Sequence, residues 1–260
     1  DIKDYATANV NVGEQTITKG FVVNEFDSNG YAVDVSLVGI ARIPNYFFAS
    51  YNSTYLNALN KHIENVSSTT AISIGSNCFY NCVDLKVINM PRLTTISDYA
   101  FYSCTKLETI TLPDTLTTIY DRAFYNCKKL NITSLPNSLT TLGGYVFYGC
   151  TAITSITLPS SLKQIGRNCF ANCSALQEVY FEGNTALDYQ TFNNCKNLTK
   201  IVYKNATSVP SCNSTTFDSS AVASDTCYIY VPDTLLEEWK TTSNWASHAN
   251  QIKGLSELEG

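Results

Sequence analysis

Phe79-Tyr-Asn-Cys82, Phe101-Tyr-Ser-Cys104, Phe124-Tyr-Asn-Cys127, Phe147-Tyr-Gly-Cys150, Phe170-Ala-Asn-Cys173 and Phe192-Asn-Asn-Cys195 are six versions of one phrase, Phe-x-x-Cys, set 22 or 23 residues apart. A fixed period of this length marks a stacked array in which each unit touches only its neighbours and the ends need caps. Length is therefore no guide to domain count, because such an array grows by addition.

Working outward from the phrase, one unit reads Leu107-Glu-Thr-Ile110-Thr-Leu112-Pro113, then Leu116-Thr-Thr-Ile119, then Ala123-Phe124-Tyr-Asn-Cys127. The alternation predicts a short strand with Ile110 and Leu112 inward and Thr109 and Thr111 outward. Pro113 lacks the N–H that a continuing ladder needs, so the chain turns and runs into a second extended piece ending at Ile119. Tyr120 to Cys127 returns as a turn or a single helical turn that sets Ala123, Phe124 and Cys127 on one face. Alone, a coil would leave these side chains half exposed. Stacking buries them, at roughly 1.5–3 kcal/mol for each large apolar group.

Six of the ten cysteines fall in the same slot and are expected as a buried column of reduced thiols, filling a small apolar volume. Cys78 and Cys169 occupy a second slot, where other units carry Ala100, Ala123 or Val146. Cys212 and Cys227 lie outside the pattern and could form a bridge. Two departures stand out. Thr133 sits where Ile110 and Ile156 sit, so that coil either distorts or buries a hydroxyl, and Glu182-Gly-Asn184 replaces the proline turn.

The pattern Leu-x-x-Ile-x-Leu-Pro-x-x-Leu-x-x-Ile-x-x-x-Ala-Phe-x-x-Cys-x-x-Leu resembles the BspA-like leucine-rich repeat, found in surface proteins of gut and oral bacteria. The likeness runs from residue 71 to about 203. Pro91, Pro113, Pro136 and Pro159 stand in the proline slot, and Leu85, Leu107, Leu130, Ile153, Leu176 and Leu198 open the strand phrase. It implies an α+β repeat fold, a right-handed leucine-rich-repeat solenoid with short parallel strands, a β-rich N-terminal cap and a helical C-terminal cap. It further implies adhesion to extracellular matrix or host-cell proteins, and no enzyme. A repeat of this kind is a scaffold whose chemistry lies in its exposed positions.

Residues 1–70 read as the N-terminal cap with one degenerate repeat and an inserted helix. Ile43-Pro-Asn-Tyr-Phe-Phe48 keeps the Ile-to-Phe interval of the repeats, Tyr31 to Leu37 alternates as a strand, and Asp27-Ser-Asn-Gly30 is a hairpin turn signal. Leu56, Leu59 and Ile63 predict an amphipathic helix from Tyr55 to Asn65, capped by Ser53 or Thr54. Residues 71–231 carry the repeats. Residues 232–260 read as the C-terminal cap, with a helix starting at an Asp233 N-cap and Trp239 and Trp245 covering the last coil.

A net charge of −5, a pI near 5.0 and no basic patch argue against nucleic acid. No run of about 18 apolar residues predicts membrane insertion. The first residue is Asp1 and not Met, which leads to the expectation that an upstream segment has been removed, and the wealth of Asn, Ser and Thr fits an extracellular or cell-surface protein. His62 and His248 are separated by the whole array, and the repeated thiols are expected to be buried, so no catalytic pair is expected. Cys78/Cys82 and Cys169/Cys173 resemble ligand pairs, but other coils keep only the second Cys. No metal site or cofactor is expected. Seven Asn-x-Ser/Thr sequons occur, about as many as this composition yields by chance.

Binding remains. The outward strand positions are small in the middle coils (Thr109, Thr111, Ser155, Thr157, with Ile132 and Ser134 between them). Towards the C-terminus they become larger and charged: Glu178, Tyr180, Lys200, Val202, Tyr228 and Tyr230. These six are the candidate ligand-binding residues, since aromatic and mixed-charge surfaces supply recognition anchors. The expected partner is a host or microbial extracellular protein. A glycan stacked on Tyr180, Tyr228 and Tyr230 is the alternative, as is a structural spacer with no ligand. The bland reading of Tyr180 and Tyr230 is that they shield the sheet or contact the cap. Tyr80, Tyr102, Tyr125 and Tyr148 form a further column, expected to be a stacking ladder.

Overall fold

The computed structural model describes residues 20–29, 32–49, 62–224 and 226–258. Each regular coil contributes two extended pieces and a turn, as its alternation and its proline require. The first pieces build the strand face and the second pieces a narrow parallel sheet of seven two-residue strands, from Arg42–Ile43 to Ala186–Leu187. The strand face is two sheets. One runs from Gly20–Phe26 through Ala32–Val38, Asn65–Ser67 and Val87–Asn89 to Thr109–Ile110. The other runs from Ser155–Leu158 through Glu178–Phe181, Lys200–Tyr203 and Tyr228–Val231 to Ile252–Gly254. All pairings are parallel except the first, an antiparallel hairpin whose turn opens with the Asn29 N–H donating to Asp27 Oδ1 at 2.8 Å. This is the β-rich N-terminal end that the sequence predicted.

The helix expected from Tyr55 lies outside the described residues up to position 61. At its far end the structure differs, because Asn65–Ser67 is a strand paired in register with Asp34–Ser36. Val66 is buried there, so the alternation of a strand and not the spacing of a helix governs the segment.

The third side of the coil is a turn, with no helix. It carries two left-handed residues per coil, one two positions before the Phe and one two positions after. The first is Asn77, Tyr99, Arg122, Tyr145, Asn168 or Gln190, and the second Asn81, Ser103, Asn126, Gly149, Asn172 or Asn194. Asn and Gly tolerate positive φ best, which explains the recurrent Asn before Cys. The bends aim backbone N–H groups at the next coil, as in Phe79 N to Ala100 O at 2.7 Å and Asn81 N to Tyr102 O at 2.8 Å.

Inside, the Phe rings stack as one column: Phe48, Phe79, Phe101, Phe124, Phe147, Phe170, Phe192 and Phe217, with centroids 4.9–6.0 Å apart. Phe48, from the segment read as a worn first coil, heads the column by stacking on Phe79. Phe217 is a coil the phrase concealed, since its Cys slot holds Ser220. The thiols do more than fill volume. Each Sγ–H donates to the Phe carbonyl of the preceding coil at 3.0–3.1 Å: Cys82 to Phe48, Cys104 to Phe79, Cys127 to Phe101, Cys150 to Phe124, Cys173 to Phe147 and Cys195 to Phe170. The carbonyls from Phe79 to Phe170 already accept the N–H of their own coil's Cys, as in Cys104 N to Phe101 O at 3.1 Å, so the thiol adds a second, weak donor that ties one coil to the next. All ten cysteines are free and buried, so Cys212 and Cys227 do not bridge.

The C-terminal end carries a short helix, Leu236–Thr241. Asp233 does not cap it. Its carboxylate instead accepts the Ser256 hydroxyl at 2.6 Å and the Ser256 N–H at 3.2 Å, tying down the last segment. Trp239 and Trp245 are buried and close the core against Tyr203, at 4.9 and 5.9 Å between ring centroids. Trp245 Nε1 donates to the Pro210 carbonyl at 2.7 Å, whereas Trp239 Nε1 is buried with no hydrogen-bond partner. Trp245→Phe should therefore destabilise the protein by about 1–3 kcal/mol more than Trp239→Phe, because only the former orphans a buried acceptor. Urea midpoints of the two variants decide this; equal losses would refute it.

Candidate functional site

Parallel register brings the predicted residues into rows. Glu178, Lys200 and Tyr228 lie side by side, as do Tyr180, Val202, Tyr230 and Lys253. Lys200 Nζ is 3.1 Å from the Glu178 carboxylate, and the Tyr180 hydroxyl donates to Glu178 at 2.8 Å. The hydrogen bond from Tyr180, followed by Lys200, holds the Glu178 carboxyl below the usual carboxylate range. Partial burial, and then Glu178, raises the Tyr180 phenol. The Lys253 ammonium sits 4.1 Å over the Tyr228 ring, covering one of its faces. That lysine lies in the C-terminal cap, and repeat spacing gave no signal for it.

Val202 requires a correction. It occupies the outward row, yet it is buried at 2% exposure. The last segment folds back over this part of the sheet, and Leu255 and Leu258 line, with Val202, Tyr180 and Lys204, an apolar cavity of about 470 Å³. Val202 therefore belongs to the contact between sheet and cap. Tyr180 also borders this contact, in line with its bland reading, while Tyr228 remains 39% exposed.

A second feature comes from Thr133. The sheet break between Thr109–Ile110 and Ser155–Leu158 falls on its coil, which forms no strand and keeps only the bridge of Ser134 to Thr157. In regular register Thr133 would bury a hydroxyl and Ile132 would face water. The coil keeps its register on either side, with the Asn131 N–H directed at the Glu108 carbonyl at 3.5 Å and Ser134 bridged to Thr157, but between them the chain twists: Ile132 turns inward to 9% exposure and Thr133 outward. Exchanging the faces of two adjacent residues breaks the alternation a strand requires, so the ladder is interrupted there while the hydroxyl stays in water. Of the two outcomes expected for this coil, distortion is the one observed, and Ile132 is not an outward residue. Ile110 and Leu112, expected in the core, are only partly buried because their neighbour has moved away. The second sheet is unaffected, since Thr141 and Leu142 still pair with Thr118 and Ile119.

A cleft of about 580 Å³ lies on the strand side at this interruption. It is lined by Leu112, Asp114, Ser134, Leu135, Pro136, Asn137, Thr157, Pro159, Ser160, Glu182 and Asn205, and it shares Thr157 and Glu182 with the apolar cavity. Asp114, Asn137 and Ser160 were not singled out by the sequence, although Thr133 was the signal that pointed to this coil.

The tyrosine column stacks as expected, at 4.9, 4.7 and 4.6 Å from Tyr80 through Tyr102 and Tyr125 to Tyr148. Arg122 lies between Tyr99 and Tyr145, 5.4 and 4.6 Å from their centroids. These contacts brace neighbouring coils. His248 packs edge-on against Phe217 at 5.3 Å. Among the described residues, no group of three or more His, Cys, Asp or Glu gathers to hold a metal ion, and no helix is long and apolar enough to cross a membrane.

No curated protein matches the chain. Among solved structures it is similar to the T. pallidum leucine-rich repeat protein TpLRR, with 24% identity, 77% of this chain and 86% of that chain covered and a TM-score of 0.48. It is similar to a leucine-rich repeat protein from Bacteroides ovatus, with 18% identity, coverage of 84% and 71% and a TM-score of 0.46. It is also similar to the pneumococcal vaccine antigen PcpA, with 15% identity, coverage of 88% and 80% and a TM-score of 0.46. The family model described as the BspA type leucine rich repeat region matches in six copies, over residues 26–93, 41–134 and 72–199. With that match spanning most of its length, on coils stacked as the repeat requires, the chain belongs to the BspA-type leucine-rich repeat family.

Proposed function

We propose that the protein is a non-enzymatic interaction protein, displayed outside the cell, that engages a host or microbial extracellular protein through the C-terminal half of its strand face. The observation that carries this reading is the row Glu178–Lys200–Tyr228, with Lys253 reaching over the Tyr228 ring from the neighbouring row: a partly exposed patch that combines an aromatic ring with both charges on rigid, in-register strands. Such anchors recur in recognition surfaces. Family membership supports a surface location and a scaffold role. Buried thiols with raised pKa values are poor nucleophiles, which supports the absence of thiol catalysis.

A sugar stacked on Tyr228 would meet a ring face already covered by Lys253, so a protein partner suits this patch better. The paired variants Tyr228→Ala and Lys200→Ala should weaken capture of an extracellular-matrix protein panel by about tenfold or more each, as expected for interface anchors. Val202→Ala, which removes part of the sheet–cap contact, should lower stability instead. Capture unaffected by both surface variants would remove the proposal and leave the spacer reading.

A further inference from the structure

We propose that the cleft at the distorted coil of Thr133 is a binding site for a neutral oligosaccharide, distinct from the charged aromatic patch. Three observations carry it.

The first is that the cleft's polar groups have unused hydrogen-bonding capacity. In the turn that precedes the second extended piece, hydroxyls are committed to the neighbouring coil. Thr115 donates to the Leu93 carbonyl, Ser138 to Leu116, Ser161 to Leu139 and Thr185 to Leu162, at 2.6–2.8 Å. The side chains of Asp114, Ser134, Asn137, Thr157 and Ser160 line the cleft, and none forms a hydrogen bond within the protein among the described residues. Together they present hydroxyl, amide and carboxylate groups, a mixture of donors and acceptors that matches a polyhydroxyl ligand.

The second is shape. These groups come from successive coils, and adjacent strands lie about 4.8 Å apart, so a chain of sugar units laid across the coils would meet several at once. The volume of about 580 Å³ falls within the roughly 300–1,000 Å³ of small-ligand sites. Leu112, partly exposed beside the interrupted coil, supplies apolar contact for the C–H face of a pyranose ring.

The third is charge. Glu182 at the rim is already engaged by Asn205 Nδ2 at 2.8 Å and by Lys204 at 3.8 Å, while Asp114 is a carboxylate with no cation beside it. An acidic sugar would be repelled there, and a neutral one accepted. The break also exposes Ile110 and Leu112 in an otherwise regular array. Departures of this kind from a consistent pattern concentrate at functional sites.

The test is an array of immobilised neutral and sialylated oligosaccharides probed with the whole chain and two variants. Asn137→Ala with Ser160→Ala removes exposed groups that bond nothing in the protein, and should weaken neutral-glycan binding by about tenfold or more while leaving the melting curve unchanged. Ile132→Thr with Thr133→Ile restores the order seen at Thr109-Ile110. It should pair this coil with its neighbour, close the cleft and abolish binding, while raising the melting temperature. If the wild type captures no neutral glycan, or if either variant folds and binds as well as wild type, the proposal is overturned. Should the repaired coil fail to fold, the surface variant decides alone. Capture of matrix protein that depends on Tyr228 without any glycan binding would overturn this site and leave the proposed function standing.

Discussion

Raised from about pH 7 to about pH 10, the protein is expected to unfold, and its ten buried thiols are the reason. Burial lifts all ten: Cys212 to about 11, Cys169, Cys195 and Cys227 to about 12, and Cys78 with the column members Cys82, Cys104, Cys127, Cys150 and Cys173 well above the ordinary range. An unfolded thiol ionises near pH 8.5. Below that value both states hold their protons and the thiols are neutral to stability with respect to pH. Above it the unfolded chain releases protons that the folded chain must keep, so stability falls as pH climbs towards the folded pKa values. Each thiol contributes about 1.4 kcal/mol per pH unit to that fall. Acting together, they exceed the 5–15 kcal/mol of an ordinary domain within about one to two pH units of the unfolded pKa. Thermal melts followed by circular dichroism across this range test the claim. A melting temperature that holds steady to about pH 10 would show that the column is not sealed from water.

Phe124→Ala should carry the largest penalty among single core substitutions in the middle of the array. Its ring is fully buried between Phe101 at 5.2 Å and Phe147 at 5.5 Å, nearly parallel to both. Truncation removes the transfer free energy of the ring and leaves a cavity, together worth about 3–5 kcal/mol. Each coil touches only its neighbours, so the defect also uncouples the two halves. Urea denaturation is then expected to show an earlier and broader transition than wild type. A loss of less than about 1 kcal/mol with unchanged cooperativity would contradict the stacked column.

Much of this was legible in the residues. The interval between Phe residues gave the coil, the proline gave the turn, and the alternation through Ile110 and Leu112 gave the strand. The eighth ring was concealed because Phe217 lies 25 residues beyond Phe192 and its Cys slot holds Ser220. The thiol hydrogen bonds were not legible either, since a pattern of small apolar residues in a slot does not reveal where a carbonyl lies. Asp233 was misread as a cap because its true partner, Ser256, is distant in sequence.

The candidate site was less legible than the fold. Glu178, Lys200, Tyr228 and Tyr230 follow from strand alternation and parallel register, both local rules. Val202 obeys the same alternation and is nevertheless covered, because the segment that covers it comes from the far end of the chain. Thr133 announced a fault in its coil, but not which way the fault would resolve.

The sequence by itself determined the repeat, the inward column and the family, because periodicity and burial are properties of near neighbours along the chain. Only the tertiary structure decided which outward positions stay open to solvent, where the strand face breaks and what lines the cleft. Those outcomes depend on how distant segments compete for the same surface, and on the local twist that lets Ile132 turn in while Thr133 turns out.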